Sequence, residues 1–164
     1  MNWIPIDSTE HERRMALWRQ MENMFTPNWE ELSAIYFAPS ITVEELIKRY
    51  AAGERNFIDI SLPHQADLTG INLAGAILLG ARFNHANLTN ANLSNTDLRY
   101  AWIRGNFTEA NLEGANIDRA DAGGTIFREA NLFNTVGWFG IECGALFEDT
   151  ILRDGRRHSY EGRA

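Results

Sequence analysis

The amino-acid sequence predicts a mainly β protein, built as a stacked solenoid and preceded by a helical segment. From Ala66 to about Asp154 a five-residue unit recurs, as in Ala66-Asp67-Leu68-Thr69-Gly70. A short fixed period is typical of stacked coils, in which no unit can bury its own apolar face alone. Before Gly53 the apolar residues instead recur at helical spacing. The change of period places a boundary between residues 53 and 54.

The segment 1–53 is expected to form helices that cap the first coil. One helix is predicted up to about Met24, and a second begins after Thr26-Pro27, because proline fits the first helical position. Thr42 with Glu45 three residues later forms a capping box for a third helix. Gly53 is a natural helix stop. An alternative is that these helices bind a partner, since the segment also carries large aromatic residues.

The repeat places a large apolar residue at the centre of each unit and a small residue, mostly alanine, two positions before it. The register begins at Phe57 and Leu62, gains one residue before Leu68 and loses one before Phe107. Both irregularities fall at the same corner, which indicates that one corner absorbs length variation. The central residues then form four ladders: Leu68, Leu88, Phe107, Phe127, Phe147; Leu73, Leu93, Leu112, Leu132, Leu152; Leu78, Leu98, Ile117, Gly137; and Phe83, Ile103, Ala122, Glu142.

These units resemble the pentapeptide-repeat family, whose consensus is close to Ala-(Asp/Asn)-Leu-x-x. The resemblance covers about 100 residues, from Phe57 to Asp154, in more than a dozen units mostly in register. It implies a right-handed, quadrilateral β-helix over 54–154 with about five coils. The approach from Val43 to Phe57 looks like the helical lead-in of cyanobacterial members. The remaining residues, 155–164, are polar and are expected to form a flexible tail.

The pattern weakens late in the chain. Ala122, Gly137 and Glu142 are poorly suited to the axis, because they are small or charged. The segment from Thr135 to Gly144 is therefore expected to bulge outward or form a loop. Trp138 and Phe139 are the candidates to replace the missing ladder residues.

Composition excludes several kinds of function. The chain of 164 residues has a formal net charge of −7, which disfavours direct nucleic-acid binding and a membrane anchor. No apolar run approaches the roughly 20 residues that span a bilayer. The N-terminus does not resemble a secretory signal, and the single cysteine, Cys143, fits a cytoplasmic setting.

No catalytic, cofactor-binding or metal-binding residue is predicted. The histidines His11, His64, His85 and His158 lack ligand spacing, and Cys143 has no visible base. A shaft filled by side chains also leaves no convergent polar pocket, so the chain is not expected to be an enzyme.

The leading functional hypothesis is a non-enzymatic protein–protein interaction scaffold of unknown partner, with a homodimer as a further possibility. The most aromatic outward stretch, Arg99 to Arg104, is the expected binding face, although a side packed by its own neighbours is the simpler interpretation. The alternative function comes from the resemblance, because some pentapeptide-repeat proteins act as acidic DNA mimics that bind DNA gyrase. A supercoiling assay would separate the two hypotheses.

Overall fold

The computed structural model describes residues 40–140 and 144–158 of the chain. The chain divides into two compact units, Met1–Ala38 and Pro39–Ala164. The two helices predicted before Pro39 lie outside the described residues, as does Cys143. The predicted domain boundaries at residues 53 and 154 stay predictions.

The first described element, α1, spans Val43–Ala51. It begins after Thr42, whose Oγ1 accepts the N–H of Glu45 at 3.2 Å, so the predicted N-cap is confirmed. It ends at Ala51, and Gly53 follows the C-cap Ala52 with a φ of +95° and an N–H that donates to the Tyr50 carbonyl at 3.0 Å. A left-handed glycine here terminates the helix, as the sequence predicts. Within the described residues no helix has the length and apolar character to cross a bilayer.

Helix α1 packs on the first coil through its apolar face. Leu46 is fully buried and belongs to the same core cluster as Phe57. The Tyr50 hydroxyl donates to the Ala74 carbonyl at 2.9 Å, which ties the helix to the coil by a polar contact as well. These contacts support a capping role for this helix, since it covers apolar side chains that the end of a solenoid would expose.

Successive turns of the chain pair through parallel backbone bridges. Asp67 pairs with Asn87, 20 residues further along. The spacing falls to 19 residues between Asn87 and Asn106, and it rises to 21 between Asn56 and Ile77. These pairs span the predicted missing and extra residues respectively, so both predicted irregularities are confirmed. They lie at one corner, between the fourth ladder and the first.

The ladder residues from Leu68 to Leu132 are buried and fill the axis of the coil. Alanines two positions before the central residues, such as Ala86 and Ala110, are also buried, because the corners leave room only for a small side chain. The prediction that Ala122 suits the axis poorly was wrong. It is fully buried in the same core cluster as Phe107 and Phe127, whose rings supply volume. The central residues that are at most 2% exposed include Leu68, Leu73, Leu78, Phe83, Leu88, Leu93, Leu98, Ile103, Phe107, Leu112 and Phe127.

The residue immediately before each centre, here called the outward position, has a structural role that sequence reasoning missed. At Asp67 the carboxylate Oδ1 accepts the N–H of Thr69 at 3.1 Å, closing an Asx turn. The next residue, Gly70, has a φ of +67° and completes the corner. Asparagine or aspartate at the outward position therefore stabilises the corner. The same bond is made by Asn72, Asn87, Asn92, Asp97, Asn106, Asn111, Asn116, Asp121 and Asn131.

The late segment keeps its register longer than the sequence predicts. The Ile117 N–H donates to the Val136 carbonyl at 2.9 Å, and the Arg119 N–H donates to the Trp138 carbonyl at 2.7 Å. The prediction of a bulge or loop is therefore wrong for residues 135–138. Glu142 lies outside the described residues.

The register shifts by one residue after Trp138. The Gly140 N–H donates to the Ala120 carbonyl at 2.8 Å, where the pattern assigns that bond to residue 141. Phe139 consequently takes a place that alanine holds in other coils. Its half-buried ring stacks on Phe127 with centroids 5.5 Å apart, so Phe139 packs against the core as predicted, but from the alanine position and not from a ladder position. The same prediction is wrong for Trp138, which is 72% exposed.

The described chain ends in a small antiparallel pair. Strand β1, Thr150–Ile151, pairs with β2, Arg157–His158, with Thr150 opposite His158. The flexible tail predicted from Gly155 thus contains a strand, because the Asx turn at Asp154 folds the chain back: its Oδ1 accepts the Arg156 N–H at 3.0 Å.

Candidate interaction surface

The cationic groups of the outward stretch predicted to bind a partner are satisfied within the chain. The Arg99 guanidinium donates to both carboxylate oxygens of Asp97, at 2.8 and 2.7 Å, and this bond raises the pKa of Arg99. Arg104 donates to Asp121 at 2.6 Å. Both arginines of this stretch thus form intramolecular ion pairs on the surface of the shaft.

The aromatic residues of that stretch are engaged as well. Arg119 lies 5.5 Å from the Tyr100 ring centre and donates to the Tyr100 hydroxyl at 3.0 Å. Arg104 lies 5.9 Å from the Trp102 ring centre. The geometry favours the simpler interpretation, in which this side of the coil packs against its own neighbours.

Exposed apolar side chains concentrate instead in the C-terminal coils. Among the described residues, Ile47 of α1 is the one large exposed apolar residue that lies before Ile126. Val136 is 56% exposed and Trp138 is 72% exposed. Within the repeat, the large exposed apolar side chains thus belong to the last coils, and exposed apolar area of this kind is typical of interaction sites. We call this group the C-terminal apolar surface; it comprises Ile126, Phe133, Val136, Trp138 and Leu146.

The C-terminal apolar surface replaces residues that stabilise the coil elsewhere. Ile126, Val136 and Leu146 occupy the outward position that holds asparagine or aspartate in most earlier coils. An aliphatic side chain cannot accept the turn N–H, so each substitution gives up a local hydrogen bond and exposes apolar area. Both effects lower the stability of the folded coil, so these apolar residues are expected to serve a purpose other than stability.

An apolar cavity of 440 Å³ opens at the end of the coil, and Trp138 is the residue of the C-terminal apolar surface that lines it. Phe147 stacks on Phe127 with ring centroids 5.2 Å apart, and Phe139 stacks on the same ring. The exposed Trp138 borders the cavity, and the half-buried Leu152 contributes a further apolar wall. The end of the coil therefore presents aromatic surface in a concave form suited to receiving a side chain.

The rim of the cavity is cationic. Arg153 lies 4.5 Å from the Trp138 ring centre and donates to the Gly137 carbonyl at 3.2 Å. Arg156 borders the cavity and pairs with Asp154 at 2.6 Å. The backbone N–H and guanidinium of Arg156 hold the pKa of Asp154 below its ordinary value. Two arginines, Arg153 and Arg156, thus border the cavity together with one carboxylate, in a chain of net charge −7.

The structure brings two histidines together that the sequence leaves apart. The rings of His64 and His85 lie 5.5 Å apart at the variable corner, and both side chains are exposed. The signal for this contact is their separation of 21 residues, which is one coil plus the extra residue. His158 lies in β2, and His11 lies outside the described residues. The described part of the chain holds no group of three or more histidine, cysteine or acidic residues placed for a metal ion.

Comparison with known proteins gives the family. The sequence profile described as Pentapeptide repeats matches residues 66–101 and 106–134 in eight copies. The gap between the two matches coincides with the missing residue at the variable corner. Among proteins with curated functions, none matches the chain significantly.

Solved structures similar to this chain include pentapeptide-repeat proteins of cyanobacteria. The protein alr5209 from Nostoc PCC 7120 is 28% identical with a TM-score of 0.54, over 64% of this chain and 94% of its own. Rfr23 from Cyanothece 51142 is 33% identical with a TM-score of 0.42, over 53% of this chain and 56% of its own. HetL from Nostoc sp. strain PCC 7120, described as involved in heterocyst differentiation regulation, is 21% identical with a TM-score of 0.33, over 72% of this chain and all of its own.

The five-residue period, the stacked ladders and these matches agree. The chain belongs to the pentapeptide-repeat family, whose members fold as right-handed quadrilateral β-helices.

Proposed function

We propose that this protein is a non-enzymatic, cytoplasmic scaffold that binds another protein at the C-terminal end of its coil. In this proposal residues 54–154 form a right-handed quadrilateral shaft of about five coils under an N-terminal helical cap. The observation that carries the binding role is the replacement of turn-forming asparagine and aspartate by exposed apolar residues in the last coils. The shaft then serves as a rigid support for the docking end.

The side chains at this end are of the types that dominate the energy of protein interfaces. Trp138 and Arg153 form a cation–π pair with 4.5 Å between guanidinium carbon and ring centre. Tryptophan and arginine are enriched among residues whose truncation costs more than about 2 kcal/mol of binding energy. Because Trp138 borders a concave apolar cavity, it can contact a partner's side chain seated inside.

The chemistry of the end defines the kind of partner. The aromatic walls suit an aliphatic or aromatic anchor, and Arg153 and Arg156 place positive charge at the border of the cavity. We assign the site to a protein segment that carries one large apolar residue beside two or more carboxylates. Charge complementarity of this kind mainly raises the association rate and the specificity.

The surface charge gives less support to the DNA-mimic alternative. A mimic of duplex DNA needs a continuous negative surface, but Arg99, Arg104 and Arg128 each pair with a carboxylate on the shaft, at 2.7, 2.6 and 2.6 Å. These pairs neutralise the acidic residues locally. Gyrase supercoiling unchanged at micromolar protein is the expected result for a scaffold.

A peptide-display selection on the immobilised full chain tests the proposal. The enriched peptides are expected to combine a large apolar residue with acidic neighbours and to rebind as synthetic peptides. A V136S/W138S double variant should lose this binding at least about tenfold, because it removes apolar contact area. The matched control is Ile47→Ser, since Ile47 is 50% exposed on α1, away from the outward positions of the last coils.

Three results would count against the proposal. Peptides that bind the double variant as tightly as the original chain would refute the site. Peptides without acidic residues would refute the assigned partner chemistry. A dimer in sedimentation equilibrium that depends on Val136 and Trp138 would make a second copy the occupant instead.

A further inference from the structure

We propose that His64 and His85 together chelate a divalent late transition-metal ion at the variable corner of the coil. The two side chains come from consecutive turns of the chain, and both face solvent. Their ring centroids lie 5.5 Å apart with an interplanar angle of 55°. This inference is independent of the proposed docking end, because it concerns the first two coils.

The spacing of the rings fits two nitrogen ligands on one ion. A zinc–nitrogen bond of about 2.0–2.1 Å places each ring centre about 3.2 Å from the ion. At a tetrahedral angle between the two bonds, the ring centres are then about 5 Å apart. The observed separation of 5.5 Å needs only a small rotation of the side chains to reach this geometry.

The backbone under the two histidines is held by bonds between the coils. The Gln65 N–H donates to the Asn84 carbonyl at 2.9 Å, and the Asn84 amide donates to the Leu62 carbonyl at 2.6 Å. His85 has a φ of +63°, and its N–H donates to the Arg104 carbonyl at 2.8 Å in the next coil. Because both turns are fixed before binding, the second imidazole adds affinity at little ordering cost.

Imidazole selects the class of metal. Neutral histidine nitrogen suits zinc, copper and nickel, whereas calcium and magnesium prefer oxygen ligands. The described residues add no third histidine, cysteine or acidic ligand to this pair. Water therefore completes the coordination, and the ion is exchangeable rather than structural.

Isothermal titration of the full chain with Zn²⁺ tests the inference, with imidazole proton shifts in NMR as a second readout. One ion per chain is expected to shift the signals of His64 and His85 together. His64→Asn and His85→Asn should each weaken binding about tenfold or more, and the double variant should add little, since each change removes the same chelate. His158→Asn is the matched control, because His158 is another exposed histidine.

Both histidines are exposed, so neither variant is expected to lose its fold. A circular dichroism spectrum that matches that of the original chain verifies this. An isotherm that the single variants leave unchanged would overturn the inference. So would a weakening by His158→Asn equal to theirs, or binding too weak to measure below millimolar Zn²⁺. In those cases the two rings are simply neighbours on the surface.

Discussion

Replacement of Leu93 by alanine is the sharpest test of the ladder packing. Leu93 is fully buried in the second ladder, between Leu73 and Leu112 of the adjacent coils, which are also fully buried. The substitution removes about three carbon groups, worth about 0.8 kcal/mol each in transfer free energy. The neighbouring coils are held by backbone bonds and cannot close the cavity, so the free energy of unfolding should fall by about 3–5 kcal/mol.

Urea unfolding followed by circular dichroism measures this loss. The control is Leu152→Ala, which changes the same ladder at the half-buried end of the coil. Its expected cost is less than half that of Leu93→Ala, because the site already meets solvent. The midpoint should move while the slope stays constant, as for a stability change alone. Equal losses for the two variants would refute the reasoning, since burial would not then determine the cost.

Two further predictions concern glycines of the coil and the carboxylate of Asp154. Gly105→Ala places a Cβ 2.4 Å from the Ala86 carbonyl oxygen, so it should destabilise the coil by about 1–3 kcal/mol in urea unfolding, although its φ suits alanine. Gly70→Ala is its counterpart, with φ of +67° but no atom within 4 Å, and should cost only about 1 kcal/mol; the reverse ranking would contradict the geometry. The folded pKa of Asp154 lies below its ordinary value, so its contribution to stability is complete above about pH 4 and is lost as pH falls through the folded pKa. A carboxyl ¹³C titration checks this, and a midpoint at or above that of an unfolded peptide would disagree.

The sequence predicts the ladders well because the five-residue unit couples two requirements at once. A large residue such as Leu93 must fill the axis, and a small one such as Ala91 must fit beside it. The gain or loss of one residue therefore shifts the register of every following unit. For this reason the irregularities before Leu68 and Phe107 can be detected in the sequence. Register in β structure is specified wherever a slip would move the apolar set out of the core.

The candidate surface was harder to predict because its signal is a departure from a pattern whose meaning is visible only in the structure. Asparagine at the outward position reads as a solvated residue until its side chain is seen accepting the turn N–H, as Asn92 does at 3.1 Å. Once this bond is known, Val136 can be recognised as a residue that cannot make the turn hydrogen bond. The aromatic stretch from Arg99 to Arg104 is more conspicuous in sequence, but its partners lie one coil away.

The single variable corner has a consequence for how such a chain can change during evolution. One edge of the coil holds both a gain, at Pro63 to Gln65, and a loss, beside Gly105, whereas the shift after Trp138 falls at the neighbouring edge of the last coils. Insertions are thus expected mainly at this edge of the coil. New loops, grafted peptides or lineage-specific extensions would accumulate along that edge and leave the flat faces of the coil regular.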